Sequence, residues 1–152
     1  MKNLNQKEIC EIIRINSENY FKLETLAGYC GLCSVAASLA FTRYGYKNTL
    51  CIGEFRTDCG SRISRHSWLE SNNKVYDITA EQFNPYGFKY NRVHVGKPTK
   101  RYENKIRLEN PSLNLILKTF RDEYFGNEEY LENKRLSNCL TGIMELNSLL
   151  AA

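Results

Sequence analysis

The chain has 152 residues, 42% of them hydrophobic and 25% charged, which is typical of one folded globular domain and excludes wholesale disorder and low-complexity repeats. A net charge of +4 is too mild a surplus to indicate a nucleic-acid partner. Apolar runs fall far short of the roughly 20 residues of a membrane-spanning helix, and no apolar segment follows the first lysine as it does in a secretory signal peptide. We expect a single cytoplasmic domain over residues 1–152 that contacts neither a membrane nor a nucleic acid.

Two helices are predicted in the first third of the chain. In residues 5–23 the apolar side chains fall mostly at intervals of three and four, and no proline interrupts them. Residues 27–31 break this pattern, which resumes over 33–41 with unusually small side chains before Gly45 offers a C-terminal stop. Such small side chains allow the second helix to pack closely against its neighbours.

The middle of the chain is predicted to form a small antiparallel sheet. Its β-prone runs are residues 49–55, 64–70, 74–78 and 90–95. The pair Asn72-Asn73 is a turn signal between the second run and the third. Because side chains alternate along a strand, His66, Trp68 and Glu70 are expected on one face of the sheet and the residues between them on the other.

The last third is predicted to be helical. A basic segment at residues 96–101 has the composition of an exposed loop, and Asn110-Pro111 offers a helix cap followed by a first-turn proline. The helix that begins there carries an amphipathic stripe and ends near Gly126. A further helix over about residues 129–149 is expected to pack against it as an αα-hairpin.

Three residues are candidates for catalysis, and they occur in the order Cys33, His66, Asp77. A thiolate is the nucleophilic form of a thiol and is favoured by the partial positive charge at a helix N-terminus, where Cys33 is predicted to lie. An imidazole can accept the thiol proton and return it to a leaving amine, while a carboxylate on its other nitrogen fixes the tautomer. The predicted hairpin brings Asp77 close to the level of His66. We therefore predict Cys33 as the nucleophile, with its backbone N–H as an oxyanion donor, His66 as the general base and Asp77 as its orienting group.

This arrangement resembles the papain-like cysteine enzymes, and it is most similar to their compact transglutaminase-like and papain-fold toxin or effector branch. The resemblance covers about residues 29–83. Residues 30–33, Cys-Gly-Leu-Cys, match the Cys-Gly-x-Cys part of the papain signature, in which the second cysteine is the nucleophile. His66 follows Cys33 by only 33 positions rather than about 130, and this spacing favours the compact order.

The resemblance implies an α+β fold of the papain/transglutaminase-like type, in which the nucleophile helix packs on a small antiparallel sheet and additional helices follow at the C-terminus. It implies acyl transfer through a thioester, and peptide hydrolysis, glutamine deamidation and transamidation are the three outcomes open to such an enzyme. The substrate would be a protein or peptide, no cofactor or metal would be needed, and the oligomeric state is left open. Cys30, Gly31 and Trp68 are the candidates for substrate contact.

The cysteines also leave other interpretations open. All six are expected to be free thiols, and Cys33 is alternatively a small buried hydrophobe. The spacing of Cys30 and Cys33 suits zinc, with Cys51 and Cys59 as further ligands, which would give a non-catalytic, metal-stapled binding or regulatory module of the same fold. The second histidine, His94, has no acidic partner nearby in the sequence.

Overall fold

The structure, a computed structural model, describes residues 3–21 and 30–120. Within these ranges the chain has the expected α+β fold, with helices and one five-stranded antiparallel sheet. The elements in chain order are α1 (Gln6–Phe21), α2 (Cys30–Arg43), β1 (Thr49–Arg56), β2 (Arg62–Ser71), β3 (Lys74–Asp77), a 3₁₀ helix (Ala80–Tyr86), β4 (His94–Gly96), β5 (Tyr102–Glu109) and α3 (Leu113–Phe120). The helix predicted over residues 129–149 lies outside the described residues.

Local interactions set the start of α1 and the end of α2. At the start of α1 the Glu8 backbone N–H donates to the Asn5 side chain at 2.9 Å, and the Asn5 backbone N–H donates to the Glu8 carboxylate at 2.8 Å, which is a reciprocal capping box. After α2 the chain turns at Gly45, whose φ of 82° is the left-handed value predicted for a helix stop. α2 already includes Cys30, three residues before the predicted helical pattern resumes at Cys33.

The five strands are ordered β4-β3-β2-β1-β5, and every neighbouring pair is antiparallel. The predicted runs correspond to β1 through β4, although β4 keeps only the end of its run. Asn72 and Asn73 form the predicted turn with φ values of 52° and 58°, a left-handed backbone that asparagine tolerates. The sequence patterns did not predict β5, which pairs with β1 at one edge of the sheet and begins with Tyr102.

Two hydrophobic clusters cover the two faces of the sheet. One cluster contains Leu50 and Leu69 together with buried side chains of α1, α2 and α3. The other is largely aromatic and contains Phe55, Trp68 and Tyr102. Because Trp68 and Leu69 are neighbours in β2 but lie in different clusters, the alternation predicted for this strand is confirmed. The small side chains of α2 are buried along most of its length, as its sequence predicts.

A close approach of two strands requires glycine next to the candidate histidine. Gly53 of β1 pairs with His66 of β2 on one side and with Asn104 of β5 on the other, and both ladders shift register beside it. A Cβ atom at Gly53 would lie 1.9 Å from the carbonyl oxygen of Glu103, a distance that no side chain tolerates. Glycine at this position therefore allows β5 to approach β1 beside His66.

A buried arginine ties α1 to the segment that follows β3. Arg14 is only 2% exposed, and its guanidinium donates to the backbone carbonyls of Ile78 at 2.8 Å and Arg92 at 3.0 Å. It also forms ion pairs with Glu18 of its own helix and with Glu81 of the 3₁₀ helix. The three acceptors outside α1 hold the segment that follows β3 against this helix.

The last described helix begins slightly later than predicted. α3 starts at Leu113, where the Leu115 backbone N–H donates to the Ser112 hydroxyl at 3.2 Å, so Ser112 and not Asn110 is the capping residue. Asn110 instead has a left-handed backbone and its side chain accepts a hydrogen bond from the Asn48 backbone N–H at 2.9 Å. Among residues 3–21 and 30–120, none of the helices has the length and apolar character needed to cross a membrane.

Candidate active site

His66 and Asp77 form a buried pair on neighbouring strands. Asp77 ends β3 and His66 lies in β2, so the hairpin predicted from the sequence sets them side by side. His66 Nε2 lies 2.7 Å from Asp77 Oδ2, and the two side chains are 1% and 0% exposed. This bond orients the imidazole so that its second nitrogen, Nδ1, points away from the carboxylate.

Four hydrogen-bond contacts hold the Asp77 carboxylate. Oδ2 interacts with His66 and accepts from the Tyr102 hydroxyl at 2.9 Å. Oδ1 accepts from the Thr79 backbone N–H at 3.0 Å and from the Thr79 hydroxyl at 3.4 Å. Burial opposes ionisation of Asp77, but the charge on His66 and these hydrogen bonds outweigh burial and lower the pKa of the carboxyl group. Asp77 can therefore act as an anion that orients and stabilises an imidazolium.

His66 is protonated far more readily than an ordinary histidine. Burial opposes its protonation, yet the Asp77 carboxylate and, after it, the Cys30 sulfur raise the pKa of the imidazole from 6.5 to about 10. Aromatic rings enclose it, since Trp68 stacks on it at 5.7 Å between ring centroids and Phe83 meets it edge-on at 4.8 Å. Such an enclosure keeps water away from the ion pair and strengthens its electrostatic attraction.

The sulfur that lies beside His66 belongs to Cys30. Cys30 is the first residue of α2, and its Sγ lies 3.6 Å from the carbonyl oxygen of Arg65, the residue that precedes His66. The sulfur is close enough to His66 to add to the rise in the pKa of the imidazole.

The Cys30 thiol has one proton and two neighbouring acceptors. In the arrangement shown the thiol is directed at the Arg65 carbonyl, and Nδ1 of His66 has no aligned partner within residues 3–21 and 30–120. Rotation about the Cβ–Sγ bond of Cys30 would turn the same proton toward Nδ1. The N-terminal position in α2 favours the thiolate that this transfer would leave, because the helix dipole places partial positive charge there.

The prediction that Cys33 lies beside His66 is wrong in this structure. Cys33 is 0% exposed and belongs to the hydrophobic cluster between the helices and the sheet. Burial raises the pKa of its thiol to about 12. The physical reason is the orientation of α2, which directs Cys30 toward Arg65 of β2 and Cys33 into the core.

The residues predicted to contact substrate have different environments. Trp68 is 0% exposed and stacks on His66, so its predicted role in substrate contact is wrong and it is a packing residue. Gly31 is partly exposed in the first turn of α2, and a Cβ atom there would lie 3.0 Å from the Phe120 ring. Substrate contact by Gly31 stays a prediction. Cys30, 8% exposed, is better placed as a reacting group than as a binding residue.

The other described cysteines are also free thiols. Burial raises the pKa of Cys51 to about 12. The exposed Cys59 differs, because hydrogen bonds from Ser61 and Thr57 lower its pKa to about 7. Within the described part of the chain, no group of three or more histidine, cysteine, aspartate or glutamate side chains is arranged to hold a metal ion. Cys139 lies outside the described residues.

Two residues of the site were not identified from the sequence. Thr79 holds one oxygen of Asp77, and its position in the chain was a usable signal, since an aspartate side chain commonly accepts from the backbone N–H two residues further on. Tyr102 holds the other oxygen from the unpredicted strand β5. The alternation of charged residues with Ile106 and Leu108 was the signal for that strand.

Comparison of the chain with protein-family models, with curated proteins and with solved structures finds no match.

Proposed function

We propose that the protein is a cysteine-dependent amide-bond enzyme in which Cys30, His66 and Asp77 form a catalytic triad. One observation carries this proposal: His66 is bonded to Asp77 through Nε2 at 2.7 Å while the Cys30 sulfur, in the first described turn of α2, lies beside the same imidazole. In this triad Cys30 is the nucleophile, His66 carries the proton and Asp77 is the anion that orients His66.

The first half of the reaction makes a thioester. Cys30 Sγ transfers its proton to His66 Nδ1, and the Asp77 carboxylate stabilises the imidazolium through Nε2. The thiolate then attacks the substrate carbonyl carbon, and the electron pair of the C=O bond moves onto the oxygen. The backbone N–H groups in the first described turn of α2 are candidates to bind this oxyanion. Collapse of the intermediate breaks the C–N bond, and His66 protonates the departing amine.

The second half releases the acyl group. His66 removes a proton from water, the resulting hydroxide equivalent attacks the thioester, and the C–S bond breaks with return of the proton to sulfur. If the amide is a glutamine side chain, ammonia leaves first and the product is glutamate. If an amine replaces water, an isopeptide bond forms. Hydrolysis is the outcome we place first, because it requires no second protein substrate.

Membership of the papain-like and transglutaminase-like group is part of the proposal. A helix headed by cysteine packs on an antiparallel sheet that carries histidine and aspartate in that chain order, which supports it. The chain departs from the papain signature by one helical turn, since the signature makes the second cysteine the nucleophile and here Cys30 takes that role. The resemblance favours a toxin or effector enzyme that acts on a protein in the cytoplasm.

An unbiased proteomic comparison tests the activity. A cell lysate is treated with the wild-type protein, with Cys30→Ala and with the matched control Cys33→Ala, which makes the same chemical change one helical turn away. New peptide termini identify hydrolysis, a one-dalton gain at glutamine identifies deamidation, and crosslinked peptides identify transamidation. We expect the same modifications with wild type and Cys33→Ala and none with Cys30→Ala. Modifications that survive Cys30→Ala would overturn the proposal, as would a wild-type lysate identical to the untreated one.

A further inference from the structure

Tyr102 reaches the His66–Asp77 pair from a distant part of the sheet. It begins β5, whereas Asp77 ends β3, and the strands β2 and β1 lie between them. Its ring crosses this distance within the aromatic cluster, where it packs against Trp68 at 5.0 Å and Phe55 at 5.2 Å between ring centroids. The phenol is 6% exposed and donates to Asp77 Oδ2 at 2.9 Å. A buried polar group on a distant strand is thus aimed at the oxygen that holds His66.

We propose that Tyr102 is a positioning residue of this site, which acts through Asp77 to set the basicity of His66 and the direction in which the imidazole faces Cys30. This inference rests on the proposed function for its consequence in catalysis. Its physical basis is a shared oxygen: Asp77 Oδ2 is bonded both to His66 Nε2 and to the Tyr102 hydroxyl.

The shared oxygen gives the effect a definite sign. A hydrogen bond donated to a carboxylate withdraws electron density and makes that carboxylate less basic. With Tyr102 in place, Asp77 therefore attracts the proton on His66 Nε2 less strongly than it would alone. Burial raises the pKa of the Tyr102 phenol far above its ordinary range, so the hydroxyl remains a donor at every working pH. Loss of the hydroxyl should make the imidazolium a weaker acid and slow its delivery of a proton to a leaving amine.

The variant Tyr102→Phe isolates this effect because it keeps the ring and its packing. Tyr46→Phe is the matched control, since the Tyr46 hydroxyl also makes one partly buried hydrogen bond, to the Leu4 carbonyl at 2.8 Å, outside the site. The readout is a ¹⁵N-histidine NMR titration, which is simple to assign because the chain has only two histidines. We expect Tyr102→Phe to lower the acid dissociation constant of the His66 imidazolium about 3- to 10-fold, and Tyr46→Phe to leave it unchanged.

Biosynthetic replacement of tyrosine by 3-fluorotyrosine gives a measurement that does not depend on the folding of the phenylalanine variant. The fluorinated phenol is a stronger hydrogen-bond donor, so it should shift the His66 titration in the opposite direction, toward lower pH. In the Tyr102→Phe background the same fluorination should have no such effect. An unchanged His66 titration in both Tyr102→Phe and the fluorinated protein would overturn the inference, as would an equal shift in Tyr46→Phe.

This experiment separates the inference from the proposed function. The His66 titration reports the influence of Tyr102 whether or not Cys30 reacts with any substrate. The pH profile for alkylation of Cys30, measured on the same proteins, reports activation of the nucleophile. If Cys30 is activated but the His66 titration is the same with and without the Tyr102 hydroxyl, only this inference is rejected. If Cys30 reacts like a free thiol while the His66 titration depends on Tyr102, only the proposed triad is rejected.

Discussion

The substitution Asp77→Asn tests the part of the site that orients the base. An asparagine side chain has the same shape as aspartate but must place an NH₂ group where one carboxylate oxygen was. If the NH₂ replaced Oδ1, it would face the Thr79 backbone N–H, which is also a donor. The NH₂ therefore takes the place of Oδ2, where it donates to His66 Nε2 and the Tyr102 hydroxyl can turn to accept. His66 must then carry its proton on Nδ1, the nitrogen that should receive the proton of Cys30.

The size of the effect follows from the population of thiolate. At pH 6 a thiol with the ordinary pKa of about 8.5 is only about 0.3% ionised, whereas a thiol paired with an imidazolium is largely thiolate. Loss of the pair would thus lower the alkylation rate of Cys30 about 300-fold. Because nucleophilicity falls with the pKa of a thiol, with a Brønsted coefficient of about 0.4–0.5, a thiol that is largely ionised at pH 6 is about 20-fold less nucleophilic as thiolate than an ordinary one, which reduces the expected loss to about 15-fold. Turnover, which also needs the imidazolium as an acid, should fall on the order of 10³- to 10⁴-fold.

Site-resolved mass spectrometry of iodoacetamide-treated protein measures this rate, and ¹⁵N-histidine NMR shows which ring nitrogen of His66 holds the proton. Asp58→Asn is the matched control, because Asp58 is an exposed aspartate that pairs with Arg101 on the surface. The control should react like the wild type. A Cys30 rate in Asp77→Asn within about threefold of the wild-type rate would refute the reasoning.

Three further predictions concern stability. Gly53→Ala should destabilise the fold by about 3 kcal/mol or more in urea denaturation, because its Cβ would meet the rigid carbonyl of Glu103 at 1.9 Å, and a cost below about 1 kcal/mol would show that the strands can separate. Stability should depend on pH at both ends of the range. The raised pKa of His66 adds stability that is fully present below pH 6.5 and is lost as the pH rises toward about 10. The lowered pKa of Asp77 adds stability that is present above pH 3.8 and is lost in acid. The free energy of unfolding, measured by urea denaturation, should therefore fall more steeply from pH 6 to pH 10 in the wild type than in the His66→Gln variant. Equal slopes in the two proteins would contradict the assignment of the raised pKa to His66. Arg14→Met should cost about 3 kcal/mol in the same assay, since it leaves the Glu81 carboxylate and two backbone carbonyls without this donor while Glu18 keeps its ion pair with Arg92, and a neutral result would mean that water replaces the guanidinium.

Local sequence patterns were sufficient to predict that His66 and Asp77 lie side by side. Both residues lie on one hairpin, and a two-residue asparagine turn fixes the register of that hairpin. The distance between them is therefore set by a stretch of twelve residues that can be interpreted without knowledge of the rest of the fold. This is why the sequence predicted a contact that the structure shows at 2.7 Å.

The identity of the cysteine beside His66 could not be obtained in the same way. Three residues along an α-helix correspond to about 300° of rotation and about 4.5 Å of rise, so the choice between Cys30 and Cys33 depends on where the helix begins and which side it presents to the sheet. Both are set by packing of α2 against α1 and β2, which the Cys-Gly-Leu-Cys pattern does not contain. Tyr102 was missed for a related reason, since its contact with Asp77 depends on the pairing of β5 with a strand about 50 residues earlier.

The most direct test of the account compares the reactivity of Cys30 and Cys33 in one protein. Wild type and His66→Ala are alkylated with iodoacetamide at pH 6, and the rate at each cysteine is followed by peptide mass spectrometry. The exposed Cys59 serves as an internal reference, because nothing links its reactivity to His66. We predict that Cys30 reacts at least about 100 times faster than the buried Cys33 in the wild type, and that His66→Ala lowers the Cys30 rate about 15-fold without changing the rate at Cys59. Faster reaction at Cys33, or a Cys30 rate that is the same in both proteins, would contradict this prediction.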